Sequence, residues 1–99
     1  MLENIFGRTT TVKIVEAFLK KENRSRWMNL REVSRHSQTN PGTVSRNIHV
    51  LVENEILVEE RPSEWSRIFK LNTDNKYVLL MIEFYEKLLE TRPTHLRNP

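Results

Sequence analysis

Leu30-Arg-Glu-Val-Ser-Arg-His-Ser-Gln-Thr-Asn-Pro-Gly-Thr-Val-Ser-Arg-Asn-Ile-His-Val-Leu-Val-Glu-Asn-Glu-Ile-Leu-Val58 encodes two helices, the turn between them and the first residues of a strand. Asn29, just ahead of it, is followed three residues later by Glu32, the spacing of a capping box in which each side chain takes up an orphan N–H near the helix start. Leu30 and Val33 face inward on this short helix, which ends near His36 or Ser37. Gln38 and Thr39 make a tight turn. Asn40 then caps the next helix, and Pro41 occupies its first position, where a missing N–H costs nothing. That helix spans residues 41–53, with Val44, Ile48, Leu51 and Val52 at core spacing.

Upstream, a helix is expected over residues 10–21, capped by one of Thr9 to Thr11, with Val12, Ile14, Val15, Phe18 and Leu19 as its apolar residues. Residues 20–26 read as a charged loop, and Trp27 and Met28 as either a short strand or an apolar plug. Downstream, residues 56–61 and 67–71 have strand character, joined by a hairpin loop at 62–66. A last helix starts near Thr73 or Asp74 and continues to about residue 91, where Pro93 stops it. The fold class expected is mainly α with a β-hairpin.

Two helices joined by a short turn and followed by a hairpin give the order of a winged helix-turn-helix. Residues 30–58, with Ile5-Phe-Gly-Arg8 and Thr11-Val-Lys-Ile-Val15 upstream, resemble small prokaryotic, especially archaeal, regulators of the ArsR and MarR kind. The resemblance covers residues 5–71, and Pro41-Gly-Thr-Val-Ser-Arg46 with Ile48 and Leu51 is its most specific part. It implies a winged helix-turn-helix DNA-binding domain over residues 1–72; beyond it, the residues themselves lead us to expect a C-terminal dimerisation helix over 73–92 and a flexible tail over 93–99. One departure is Glu55, which stands where the family usually has Gly to close the helix at a positive φ. Asn54 can adopt that conformation, which would turn the chain one residue earlier.

Charge points to the same face. Residues 1–50 hold nine Lys/Arg against four acids, a net +5, and residues 51–99 hold seven against nine, a net −2, which together make the +3 of the whole chain. Between Glu32 and Glu53 there is no acid at all. Such asymmetry suits a polyanionic partner. With Val44, Ile48 and Leu51 turned inward at about 100° per residue, the other side of helix 41–53 carries Gly42, Ser45, Arg46 and His49, flanked by Thr43, Asn47 and Val50. A helix of this size fits the major groove, where Arg can bond guanine twice and Asn can bond adenine twice. Arg46 is therefore the expected base reader, with Thr43, Ser45, Asn47 and His49 as base or phosphate contacts. Arg61 and Arg67 on the hairpin (58–71) are candidates for minor groove or phosphate. Arg31, Arg35 and Arg8 are candidates for phosphate. Trp65 reads either as packing under the hairpin or as an exposed contact.

The last helix spreads Tyr77, Leu80, Met81, Phe84, Tyr85 and Leu88, with Val78, Ile82 and Leu89, over an apolar arc of roughly 200°, wider than one small domain covers. A homodimer is the expected answer, with Tyr77, Leu80, Met81, Phe84, Tyr85 and Leu88 at its interface. The alternative is that this helix and the first simply pack on each other in a monomer.

Other classes are less well served. With no cysteine, only three histidines and no Gly-rich phosphate loop, the chain is not expected to be an enzyme, to hold a metal or to need a cofactor. Its longest apolar run, residues 77–82, is far short of the roughly 20 residues that span a bilayer, so no membrane partner is expected and a cytoplasmic location is. The function expected is a sequence-specific double-stranded DNA-binding transcriptional regulator, with repression its expected mode. The alternative is a winged helix serving as a protein-interaction or RNA-binding module.

Overall fold

Most helices in this chain start where a side chain takes up free backbone donors, and those caps set the element order. The computed structural model describes residues 1–96, with side chains to residue 91. A short helix, α1 (Glu3–Phe6), ends at Gly7, whose φ of 94° turns the chain. The Thr9 hydroxyl caps α2 (Thr10–Leu19) by accepting from the Val12 N–H at 3.2 Å. α2 stops short of Lys21: Lys20 is extended, and a 3₁₀ turn follows over Lys21–Asn23. Side chains cause this early stop. The buried Asn23 amide donates to the Ala17 carbonyl at 2.8 Å and Arg24 Nε to the Leu19 carbonyl at 2.7 Å, satisfying carbonyls that the helix end leaves free.

Of the two readings of the Trp27–Met28 region, the strand is found. β1 (Met28–Asn29) pairs antiparallel with a later strand, Met28 opposite Phe69 and Asn29 opposite Ile68. Asn29 also caps α3 (Leu30–Ser37) through a complete capping box: its side chain accepts from the Glu32 N–H at 2.8 Å, and its own N–H donates to Glu32 at 3.0 Å. Gln38 then takes the left-handed conformation (φ 55°). The Ser34 hydroxyl donates to the Thr39 carbonyl, and the Thr39 N–H returns to the Ser34 carbonyl, which fixes the turn. Asn40 Oδ1 accepts from Gly42 and Thr43 to open α4 (Pro41–Glu53).

α4 ends at Glu53 as expected, but the left-handed residue after it is not Asn54. Glu55, with φ 59°, holds the left-handed position, while Asn54 stays right-handed at φ −90°. Asn54 is held there because its side-chain amide donates back to the Val50 carbonyl at 2.7 Å. The Glu55 N–H bonds the Val52 carbonyl and the Ile56 N–H the Leu51 carbonyl, the paired bonds of a Schellman motif with Glu in the glycine position. The amides of Asn72 and Asn75 both donate to the Glu55 carbonyl at 2.9 Å and lock the turn from outside.

β2 (Leu57–Ser63) and β3 (Ser66–Leu71) form the hairpin, in register from Leu57 opposite Leu71 to Glu60 opposite Ile68. A bulge between Glu60 and Ser63 precedes the closing Ser63–Ser66 pair, so the tip is Glu64 and Trp65 rather than the whole of 62–66. β3 is the central strand of the order β1-β3-β2. The last helix, α5 (Lys76–Leu96), starts later than Thr73 or Asp74. Asn72 first makes a turn by accepting from the Asp74 N–H, and Asn75 then caps the helix by accepting from the Tyr77 N–H at 2.9 Å. Nor does Pro93 end it. A proline removes one donor and strains the preceding turn without always breaking a helix. Of the expected tail, residues 97–99 lie outside the described residues. No helix among the described residues is long and apolar enough to cross a membrane.

The described residues thus make an α+β unit of five α-helices and a three-stranded antiparallel sheet. Its core joins Ile14 and Phe18 of α2, Val33 of α3, Val44 and Ile48 of α4, Phe69 of β3 and Val78 of α5, all fully buried. Because an L-residue in the left-handed region is strained by about 1 kcal/mol, replacing exposed Glu55 with glycine (E55G) should stabilise the fold by about that amount. In thermal unfolding this is a rise of roughly 4–8 °C for a domain of this size. A lowered midpoint would show that the turn is not strained.

Candidate nucleic-acid interface

The core spacing of α4 leaves Ser45, Arg46, His49 and Val50 exposed, with Thr43 and Asn47 half-buried. Arg46 is not adrift. Its Nη2 donates to the Thr43 hydroxyl at 3.3 Å, one turn back, which lays the guanidinium along the start of the helix. Asn47 is committed differently: its amide donates to the Thr43 carbonyl at 2.7 Å, so one donor that base reading would need is already used within the helix. Arg31 and Arg35 lie exposed on α3, joined to α4 by the three-residue turn at 38–40.

Ion pairing sorts the arginines. Arg8 meets Glu3 at 3.3 Å, Arg26 meets Glu32 at 2.8 Å, Arg24 meets Glu86, and Arg61 and Arg67 both meet Glu59. Among the described arginines, only Arg31, Arg35 and Arg46 have no carboxylate within 4.0 Å. These are the arginines of α3 and α4. Exposed pairs are weak and exchange readily, but a paired guanidinium must give up its carboxylate before it can hold a phosphate without local compensation.

The hairpin arginines are consequently not equivalent. Arg67, with 24% of its side chain exposed, donates twice to Glu59 at 2.9 and 3.3 Å and lies 5.1 Å over the Phe69 ring. It is a structural residue of the sheet face. Arg61, at 62%, touches Glu59 once at 3.2 Å and projects into solvent. Sequence reasoning missed Glu59 as their common anchor. Its signal was present: Glu59 and Arg61 are two apart on one strand and share a face, and Arg67 reaches that face from across the ladder. Trp65 does not fold under the hairpin; it stands 91% exposed at the tip.

On α5 the apolar arc divides. Tyr85 is only 4% exposed and its hydroxyl donates to Glu16 at 3.0 Å, so it belongs to this chain's own core rather than to an outer interface. Met81 and Leu88 are half-buried against that core. Tyr77, Leu80 and Phe84 remain exposed, Tyr77 at 74%, and Phe84 meets Phe6, itself exposed on α1, in a tilted contact with ring centroids 6.1 Å apart. Beside them Leu2, Val12, Val15, Leu19 and Met81 line an almost wholly apolar cleft of about 200 Å³. No group of three or more His, Asp or Glu side chains among the described residues is placed to hold a metal ion.

In comparison with known proteins, no protein-family model matches the chain, and no curated protein shows significant similarity to it.

Hydrogen bonds from Arg67 outweigh the opposing effect of burial and, with the charge of both arginines, hold the Glu59 carboxyl below its ordinary value of 4.5. A carboxyl lowered on folding binds fewer protons in the native state. Its contribution is therefore complete above the ordinary value and is lost as the pH falls through the lower folded one. Urea midpoints measured across acid pH should fall less steeply for Glu59→Gln than for the parent chain. Superimposable pH profiles would remove Glu59 from the account of acid stability.

Proposed function

We propose that the chain is a winged helix-turn-helix regulator that binds double-stranded DNA as a homodimer, as its resemblance to the ArsR and MarR kind implies. The observation that carries this reading is where the arginines without carboxylate partners lie. Arg31, Arg35 and Arg46 all belong to the two helices that bound an acid-free window of sequence, while the other described arginines are held by Glu3, Glu32, Glu59 or Glu86. A solvated basic surface with no partner would not call for such sorting. At 1.5 Å per residue, α4 is about 20 Å long, enough to lie along the major groove with Arg46, Ser45 and His49 towards base edges. Arg31 and Arg35 would fix its register on phosphates. Thr43 would act mainly through Arg46, and Asn47 mainly by supporting the helix.

Supporting the dimer is the stripe of Tyr77, Leu80 and Phe84, continuous with Ile5 and Phe6 of α1 and too apolar to be an ordinary solvated face. Two copies joined there would present two α4 helices to half-sites about 34–36 Å apart, one helical turn of DNA. Such a chain works where the chromosome is, in the cytoplasm of a prokaryote.

Selection of bound duplexes from a random pool should enrich a two-half-site sequence, and absence of enrichment would sink the DNA reading. On the selected duplex, Arg46→Ala should cost about 1–3 kcal/mol and relax one position, whereas Arg31→Ala or Arg35→Ala should weaken all sequences alike and lower the salt slope by about one. Leu80→Glu changes an exposed side chain, so the fold should survive while sedimentation reports monomers; an unchanged dimer mass would move the interface elsewhere.

A further inference from the structure

The hairpin is a poor electrostatic partner for DNA, yet it ends in the most exposed aromatic of the chain. Along residues 57–71, Glu59, Glu60 and Glu64 balance Arg61, Arg67 and Lys70, a net charge of zero. Both arginines are engaged by Glu59, and Lys70 lies 5.8 Å over the Trp27 ring, back against the body of the domain. What remains at the end of the hairpin is Pro62, Glu64 and a Trp65 that is 91% exposed. A solvent-facing indole held at a two-residue tip by a closed Ser63–Ser66 pair is costly to leave in water. Trp65 also borders a trough of about 260 Å³ shared with Arg31 and Ser66, so it continues the surface on which Arg31 lies free.

From this placement we infer that Trp65 is the hairpin's DNA contact and acts as an aromatic wedge at a pyrimidine–purine step beside the half-site read by α4. The inference rests on the DNA reading above and adds to it the contact chemistry of the hairpin. Three features favour a wedge over a phosphate clamp. The indole face can stack on any base and its N–H can donate to minor-groove acceptors, which are the only groups an A·T pair shows there. Glu60 and Glu64 repel the closely spaced phosphates of a narrow A-tract groove, and so disfavour the setting in which arginine-bearing tips bind. Opening TA or CA/TG steps costs least, and a kinked step widens the minor groove and moves its phosphates away from those acids. Arg31, which lines the same trough, supplies the cation that the tip lacks.

The test uses the full chain and a fluorescently labelled duplex bearing the selected half-sites. Trp65→Ala should lower affinity about tenfold, with the slope of log K against log salt unchanged because no phosphate contact is lost. Trp65→Phe, which keeps a stacking face, should recover most of it. In the parent chain, replacing a flanking TA step by AA should weaken binding, and in Trp65→Ala the two duplexes should bind alike. In a Trp27→Phe background, where Trp65 is the sole indole, its emission should be quenched as the duplex binds. Undiminished affinity of Trp65→Ala, or a loss that comes with a shallower salt slope, would overturn the wedge while leaving the DNA reading intact. Failure of the parent chain to raise the anisotropy of any duplex would overturn both.

Discussion

Pairing of Met28 with Phe69 is the contact on which the arrangement of the two candidate surfaces depends. Among the described residues β3 is the only strand with neighbours on both edges, so it joins the residues just before α3 to the hairpin just after α4. Both side chains of the pair are fully buried, and Asn29, the next residue, is at once the end of β1 and the cap of α3. One short strand thereby sets where α3 begins relative to the hairpin. Arg31 and Trp65 share a trough because of this register, although they are far apart in sequence.

Charge is distributed by the same economy. Acids stand beside arginines wherever the arginine has work in the fold: Glu86 with Arg24 at the end of α2, Glu32 with Arg26 at the start of α3, Glu59 with Arg67 on the sheet. Glu32 does two jobs. It closes the capping box and holds Arg26; the Asn29 N–H, helped by the nearby arginines, outweighs the upward push of burial and lowers its pKa below the usual carboxylate range. Between Glu32 and Glu53 the chain offers no acid, and neither Arg35 nor Arg46 has a carboxylate within 4.0 Å. The free cations on α3 and α4 follow from a composition rule read along the chain, and the structure adds that they are exposed as well.

How far the sequence could be read depended on whether a signal was local. Asn29 with Glu32 and Asn40 with Pro41 are caps completed within four residues, and both helices start where those residues indicate. The end of α2, and the left-handed residue that follows α4, were not legible because side chains acting from beyond the helix decide them: Asn23 and Arg24 reach back to α2, and Asn72 and Asn75 cross from the far end of the hairpin to Glu55. Periodicity could not show that Arg67 is spent on Glu59, since that needs the cross-strand register. Nor could it divide the broad apolar arc of α5, because Tyr85 and Phe84 are neighbours in sequence and differ only in which one meets Glu16 of α2.

That division has a mechanical consequence. Tyr85 bonds Glu16, whose carboxyl burial pushes up but whose pKa is brought below its ordinary value by donors from the Met1 amino group, the Leu2 N–H and Tyr85 itself. Arg24, in the turn that follows α2, holds Glu86 a residue further along, so α5 is tied to α2 and its following turn by two polar bonds as well as by the buried Val78 and Tyr85. α2 in turn packs directly on α3 and α4. An exposed stripe on α5 is thus coupled to α4 through packed elements with no intervening hinge loop. A second copy seated on Tyr77, Leu80 and Phe84 would fix the distance between the two α4 helices by rigid packing, and a loosened α5 would change that distance without touching a residue of α4. How firmly Tyr85 holds α5 against α2 would then set that spacing.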